Sequence, residues 1–185
     1  MNKNQKKSNR EFEVSQPNEL PQQQLKSLHN IINQSYLNSE SDFWKDGYER
    51  ISIHELKNEL NHKNLLVLNS DEGQVSGCVK VDFDPVSNIG TFSMLCVDDT
   101  HRGLGLGNTL VKAAEKVILD LKGVKMGLDL LIPRSYSHPD KEVLKKWYTK
   151  LGYQKIGFGK FEDHHPQLVP IMKIECDFER WEKIL

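Results

Sequence analysis

The chain has 185 residues, with 25 Lys or Arg against 26 Asp or Glu and a net charge of −1. A chain of this length can bury a core of its own without disulfides or a structural metal, and it suits one domain. The balanced charge excludes a nucleic-acid coat or a polybasic membrane anchor, both of which need surplus positive charge, but it allows a small local basic pocket. Cys78, Cys96 and Cys176 occur singly in apolar stretches with no CxxC spacing, as expected of buried thiols in a reducing compartment. No apolar run approaches the ~18 residues of a membrane span. Met1–Arg10 is polar and basic with no apolar segment behind it, so no secretory signal is visible and a cytoplasmic location is expected.

Residues 1–21 are rich in Asn, Gln, Lys and Ser and lack apolar periodicity, which predicts a flexible polar tail before a single domain over 22–185. Leu25, Leu28, Ile31, Ile32 and Tyr36 fall at helical spacing and predict a helix over 22–36. Ser52-Ile53-His54-Glu55 is a capping box, because the Ser hydroxyl and the Glu carboxylate can each satisfy a free amide at a helix start. The helix it opens carries Ile53, Leu56 and Leu60. Strands are predicted over 65–68, 75–83 and 91–97. Asn108 to about Leu121 reads as a long helix with a broad apolar face, and 126–132 as a strand. A further helix is predicted over 140–151, ended by Gly152 in a left-handed cap. Strands over 153–158 and 174–181 close the chain. The strand-helix-strand unit over 91–132 needs a parallel crossover, while its flanks favour antiparallel pairing. The expected fold class is α/β (α+β), a mixed sheet covered by helices.

The most informative segment runs from Val97 through Asp98-Asp99-Thr100-His101-Arg102-Gly103-Leu104-Gly105-Leu106-Gly107 to Asn108. A strand ends, a glycine-rich turn follows and a helix begins. Glycines let backbone N–H groups approach a ligand closely, and the free amides and dipole of a helix start favour phosphate oxygens. Arg102 either adds charge or holds the loop. The glycines give G-x-G-x-G rather than the G-x-G-x-x-G of a dinucleotide fold. Gly107 precedes Asn rather than the Lys-Ser/Thr of a nucleoside-triphosphate loop.

Arg102-x-x-Gly105-x-Gly107 on this strand-turn-helix resembles the central motif of the GNAT acyltransferase superfamily. Trp147-Tyr148-Thr149-Lys150-Leu151-Gly152-Tyr153 resembles that family's late aromatic-Tyr-x-x-Leu-Gly-aromatic segment, at fitting distance. The resemblance covers roughly 65–158. Ile132–Pro139, His165–Pro170 and Cys176–Phe178 are similar to segments of a group of small microbial and fungal GNAT proteins. The resemblance implies a mostly antiparallel central sheet flanked by helices, with one parallel β-α-β unit carrying the pyrophosphate loop. It also implies acetyl transfer from acetyl-CoA to a primary amine of a small molecule, by direct attack in a ternary complex.

Residue roles follow from that resemblance. Backbone groups of Leu95, Cys96 and Val97 would bond the pantetheine amides. Amides of Gly103, Leu104, Gly105, Leu106, Gly107 and Asn108, with Arg102 beside them, would hold the pyrophosphate. Tyr148 would protonate the leaving thiolate, a task its ordinary pKa of ~10 permits. Family members often place a Glu base on the motif strand, but Leu95, Ser93 and Thr91, the positions expected to face inward, include no carboxylate. Asp82, Glu162, Asp163, His164 and His165 are the substitutes in reach of the sequence, His being favoured by pKa. Lys141 stands seven residues before Tyr148, where the family often has an Asn that touches the cofactor. It reads as a solvated helix residue or one reaching a phosphate.

The acceptor is expected between two irregular segments. One is 38–50, with Phe43, Trp44 and Tyr48. The other is 160–172, with Phe161, Glu162, Asp163, His164 and His165. An aromatic and acidic lining suits a cationic amine, and Arg134 could instead bind an acceptor carboxylate. Trp44, Arg134, Glu162 and His164 are the candidate acceptor contacts. His164-His165 lacks partners at ligand spacing, so no metal is expected. No nucleic-acid or membrane partner is expected, and the chain is read as a monomer or homodimer. Two other functions fit the same residues: acetylation of a protein N-terminus or lysine, which requires an open groove, and a non-catalytic acyl-CoA-binding protein that has lost its base.

Overall fold

The computed structural model describes residues 11–185. Its sheet has seven strands: β1 (Phe12–Ser15), β2 (Leu65–Ser70), β3 (Val75–Asp84), β4 (Ile89–Val97), β5 (Lys125–Pro133), β6 (Gln154–Lys160) and β7 (Cys176–Ile184), in the spatial order β1-β2-β3-β4-β5-β7-β6. Every neighbouring pair is antiparallel except β4 and β5. The helices are α1 (Gln22–Glu40), α2 (Ile53–Asn61), α3 (Leu106–Asp120), α4 (Pro139–Lys150) and the short α5 (Phe161–His164).

The apolar patterns explain the layering. In β2, Leu65 and Val67 join a cluster with Leu25, Leu28 and Ile32 of α1 and Leu56 and Leu60 of α2. Leu66 and Leu68 point the other way, into the cluster formed by Leu110, Val111, Ala114 and Ile118 of α3. A strand covered on both faces reads as a continuous apolar run, as Leu65–Leu68 does. The capping box starts α2: Glu55 N donates to Ser52 Oγ at 3.2 Å, and Ser52 N donates to Glu55 Oε2 at 2.8 Å. Gly152, just past α4, has φ +95°, the left-handed conformation its position calls for.

Three departures from the sequence reading have physical causes. Phe12–Ser15, expected within the tail, forms β1 on the open edge of β2, with Phe12 opposite Ser70. Only Phe12 and Val14 carry its apolar alternation, and both pack on the main core; four residues are too few to show as a period. The remainder of the expected tail before residue 11 lies outside the described residues. Second, α1 continues four residues past Tyr36, although its apolar periodicity stops there. Its last residue, Glu40, is buried and accepts from Lys141 Nζ of α4 at 2.5 Å and from Trp44 Nε1 at 3.1 Å. Third, Lys141 is therefore not a solvated helix residue: it is 3% exposed and its charge is neutralised by Glu40.

Removing one member of a buried ion pair leaves the other charge stranded in a poorly solvated site. Glu40→Gln is expected to cost about 3–5 kcal/mol of stability in urea unfolding, and Glu40→Leu combined with Lys141→Met to recover most of it.

Candidate active site

β4 holds the geometry together. Its pairing with β3 slips between Cys78 and Lys80: Cys78 lies opposite Cys96, and Lys80 opposite Ser93, so Val79 faces both Met94 and Leu95. This is a β-bulge, and Met94 takes φ +48° within it. The extra residue reverses the alternation. Phe92 packs on the α3 side of the sheet, whereas Met94 and Cys96 pack on the α1 and α2 side. Leu95 and Val97 consequently face the α3 side. Thr91, Ser93 and Leu95 thus do not share one inward face, as even alternation would require.

Beside the bulge β4 leaves β5. The parallel pairing extends only over Ile89–Thr91 against Lys125–Gly127. Beyond it the strands diverge, and the gap becomes a cavity of about 180 Å³ walled by Phe92–Leu95 of β4 and Leu128–Leu131 of β5. It continues into a wider cleft of about 530 Å³ that shares Arg50, Asp129 and His165 with it. Two irregular segments close the cavity. Trp44 and Tyr48, stacked at 4.0 Å between ring centres, come from one, and Phe161 and His165 from the other.

Tyr148 of α4 stands on the cavity wall, 6% exposed, braced by the rings of Trp147 at 5.0 Å, Phe92 at 6.0 Å and Tyr153 at 6.1 Å. Burial, with a smaller effect from Tyr36, raises its pKa well above the usual phenol value. The phenol therefore keeps its proton through the neutral and moderately alkaline range.

The glycine-rich loop follows β4. Asp98 Oδ1 accepts from Thr100 N at 2.8 Å and starts a 3-10 turn over Asp99–His101. Arg102 is exposed and pairs with Asp99 at 2.7 Å, so its side chain holds the loop. Gly105 is the N-cap of α3 with φ +79°, and Gly103 has φ +81°; a β-carbon at either would meet nothing within 4 Å. These glycines are required by backbone conformation rather than by crowding. At Gly107, by contrast, a β-carbon would lie 3.3 Å from the Trp147 ring. The helix begins at Leu106, and Asn108 N already donates to Gly105 O at 3.0 Å. Asn108 Oδ1 accepts from Trp147 Nε1 at 2.8 Å, which ties the start of α3 to the residue beside Tyr148.

Of the expected acceptor contacts, Trp44 lines the cavity. Arg134, Glu162 and His164 line neither the cavity nor the adjoining cleft. Arg134 is held by Asp177 and Glu162, each at 2.6 Å, and His164 Nε2 lies 2.6 Å from Arg180. Asp82, paired in register with Thr91, also lies outside both spaces. His165 lies in both, and burial together with Arg50 and His164 lowers its pKa below the ordinary 6.5.

Sequence reasoning passed over three charged groups that line the cavity: Glu40, Arg50 and Asp129. Asp129 left a trace, as the one carboxylate interrupting the apolar run Met126–Ile132. Its pKa is raised by burial, against the opposing pull of Arg180, 3.9 Å away. Glu40 and Arg50 left none, since each is brought in by helix continuation or loop geometry. Among the described residues no group of three His, Cys, Asp or Glu is arranged to hold a metal ion, and no helix is long and apolar enough to cross a membrane.

The family model of the acetyltransferase (GNAT) domain matches residues 61–155. No curated protein matches the chain. Among solved structures, the PaiA N-acetyltransferase of Thermoplasma acidophilum in complex with coenzyme A is similar at 17% identity and a TM-score of 0.68, over 95% of this chain and 99% of that one. An aminoglycoside 6'-N-acetyltransferase complexed with coenzyme A is similar at 13% identity and TM-score 0.68, over 93% and 96%. The ribosomal-protein-S18-alanine N-acetyltransferase of Escherichia coli is similar at 12% identity and TM-score 0.61, over 94% of each. At such identities the likeness speaks for the fold, and the family model, covering more than half the chain, speaks for descent. With its one parallel strand pair, its diverging β4 and β5 and its glycine-capped α3, the chain belongs to the GNAT acetyltransferase family.

Proposed function

We propose that the protein transfers acetyl from acetyl-CoA to a primary amine of a small molecule by direct attack in a ternary complex. The observation that carries this reading is a small capped cavity between diverging strands, with a buried protonated phenol on its wall. The residues present fit acetyl-CoA. Beyond Thr91 the β5-facing edge of β4 has no strand partner, and edge amides and carbonyls need hydrogen-bonding groups from elsewhere. Leu95, Cys96 and Val97 offer theirs to the pantetheine arm. The N–H groups from Gly103 to Gly107 offer theirs to the pyrophosphate. The small volume and the two capping segments favour a small amine over a peptide in an open groove.

The amine nitrogen attacks the thioester carbonyl carbon, the carbon–sulfur bond breaks, and the thiolate takes the proton of the Tyr148 hydroxyl, which solvent restores as the proton held on the base is released. The amine gives up its proton to His165, which its lowered pKa keeps neutral at pH 7. Asp129, in the same cavity and acting electrostatically on His165, favours the protonated imidazole that results. His165 thus takes the part for which β4 supplies no carboxylate. Cys96 is buried and lies against Cys78 Sγ at 3.6 Å; direct attack requires no thiol nucleophile.

Three measurements test this. Tyr148→Phe is expected to lower kcat by about 10²–10⁴-fold with little change in the KM for acetyl-CoA; unchanged turnover would remove the acid role. A histidine with a lowered pKa is neutral, and so active as a base, down to pH values below the ordinary 6.5. The wild-type kcat should therefore fall only below that pH, and His165→Gln should abolish this acid limb while lowering kcat. A limb that persists in the variant belongs to another group. Gly105→Val, which puts a branched side chain at positive φ, should weaken coenzyme A binding measured by calorimetry by at least about 10-fold, corresponding to ~1.4 kcal/mol.

A further inference from the structure

Arg50 stands apart from the other arginines. Among the described residues, Arg102 has Asp99 at 2.7 Å, Arg134 has Asp177 at 2.6 Å, and Arg180 has Asp129 at 3.9 Å, whereas Arg50 has no carboxylate within 4.0 Å. It is nonetheless partly buried and lines both the cavity and the adjoining cleft. Its guanidinium lies over the Tyr36 ring, 4.9 Å from the ring centre, and interacts with the hydroxyls of Tyr36 and Tyr48. Rings and neutral hydroxyls orient a cation but do not neutralise it. Glu40 in the cavity and Glu55 in the adjoining cleft act on Arg50 only through space; the oxygens of Glu40 are taken by Lys141 and Trp44, and Oε2 of Glu55 by Ser52. The chain from Glu49 to Ile51 is fixed as well, since Asn33 Oδ1 accepts from Arg50 N at 2.7 Å and from Ile51 N at 3.2 Å. A positioned guanidinium without an anion, withdrawn from bulk water, is poised for one.

The pairing of the charges that line the cavity, two of each sign, points the same way. Glu40 and Lys141 cancel, and Asp129 faces Arg180. Glu55 and Glu59 line the adjoining cleft, where Glu55 is held by Ser52 and Glu59 by Lys80; of the charges that line the cavity, that of Arg50 alone has no opposite charge within 4.0 Å. A polyamine or a many-amine sugar would bring further positive charge against it, at a Coulombic cost that grows as water is excluded. An acceptor with one amine and one acid group would neutralise it. The planar five-donor fork of Arg matches a carboxylate through two parallel hydrogen bonds.

We infer that Arg50 is the specificity-determining residue of the acceptor site, and that the acceptor is a small amine carrying a carboxylate, an amino acid, whose carboxylate pairs with Arg50 while its amine faces His165 and Asp129. The inference rests on the acetyltransferase reading above for the amine end and on Arg50 alone for the acid end. It also transfers the carboxylate-binding role from Arg134, whose guanidinium is already occupied by Asp177 and Glu162.

The experiment measures kcat/KM with acetyl-CoA for the α-amino acids and γ-aminobutyrate, for the carboxamide of each, and for the carboxylate-free amines spermidine and kanamycin. The best carboxylate acceptor is expected to exceed its own amide by about 10- to 100-fold, the range for a charge-assisted hydrogen bond pair. Arg50→Gln should bring that ratio close to one, mainly by raising KM, and Arg50→Lys should retain part of it. Circular dichroism and thermal melts establish that the variants fold. Amides or carboxylate-free amines turned over as well as the carboxylates by the wild type would overturn the inference, whatever the variants do. So would a ratio that both variants leave unchanged. If nothing is acetylated, the acetyltransferase reading fails, and the carboxylate site is judged separately by calorimetric titration of the same amino acids into the coenzyme A-loaded protein. Saturable binding that Arg50→Gln abolishes upholds the site, and no binding by any amino acid overturns it.

Discussion

The bulge in β4 and the divergence of β4 from β5 are the constraints on which the rest of the site depends. A parallel pair normally continues as far as its strands allow, because each ladder hydrogen bond withheld leaves two polar groups unsatisfied. Here the pairing stops at Thr91 and Gly127 although both strands continue, to Val97 and to Pro133. Met94, at φ +48°, inserts one residue too many for β3 to match. The face reversal lets Met94 and Cys96 fill the α1 and α2 side, while Leu95 and Val97 pack toward α3. The local strain is compensated by packing on both faces, and the result is a wedge-shaped space inside a continuous sheet.

Helices stabilise the two sides of that wedge. α3 begins on a glycine at positive φ, separated by three residues from the 3-10 turn that follows β4, and the first N–H groups of a helix have no intrahelical partner. The chain carries 25 basic against 26 acidic residues, so no bulk positive field draws anions in. On the proposed reading, attraction of a pyrophosphate to the loop would come from oriented backbone dipoles, which are short-ranged and geometrically selective. Arg102, tied to Asp99, sets the shape of the loop. α4 is fastened from both ends of its inner face. Trp147 donates to Asn108 at the start of α3, and Lys141 meets Glu40 at the end of α1. Tyr148 directly follows Trp147, the second of these anchors along the chain.

The proposed acceptor side is built differently, from a helix end and two loops. Glu40, Trp44, Tyr48 and Arg50 succeed one another within eleven residues, yet only tertiary contacts give them a common direction. Lys141 draws in Glu40, Glu40 fixes Trp44, Trp44 stacks on Tyr48, and Asn33 holds the backbone at Arg50. Polar networks of this kind specify one arrangement because each member has few alternative partners once buried.

The sequence by itself determined most of the frame. Apolar spacing placed the strands after Pro21 and the helices α1 to α4 to within a few residues, though not the single turn of α5 within 160–172; the capping box marked the start of α2, and Gly152 the end of α4. These features are local, and local sterics and hydrogen bonding decide them. The Arg102–Asn108 loop and the Trp147–Tyr153 segment were legible for the same reason, since each function rests on neighbours in the chain. Tertiary structure alone decided the rest. β1 needed the edge of β2, the last turn of α1 needed Lys141, and Cys78 and Cys96, far apart in sequence, became cross-strand neighbours 3.6 Å apart at sulfur. The bulge at Met94 could not be read because a one-residue register slip depends on the partner strand. For the same reason nothing in the sequence singles out Arg50, and Arg134 reads as able to bind an acceptor carboxylate. Whether a guanidinium has an anion beside it depends on which distant carboxylates the fold brings near, and that is a property of the folded chain.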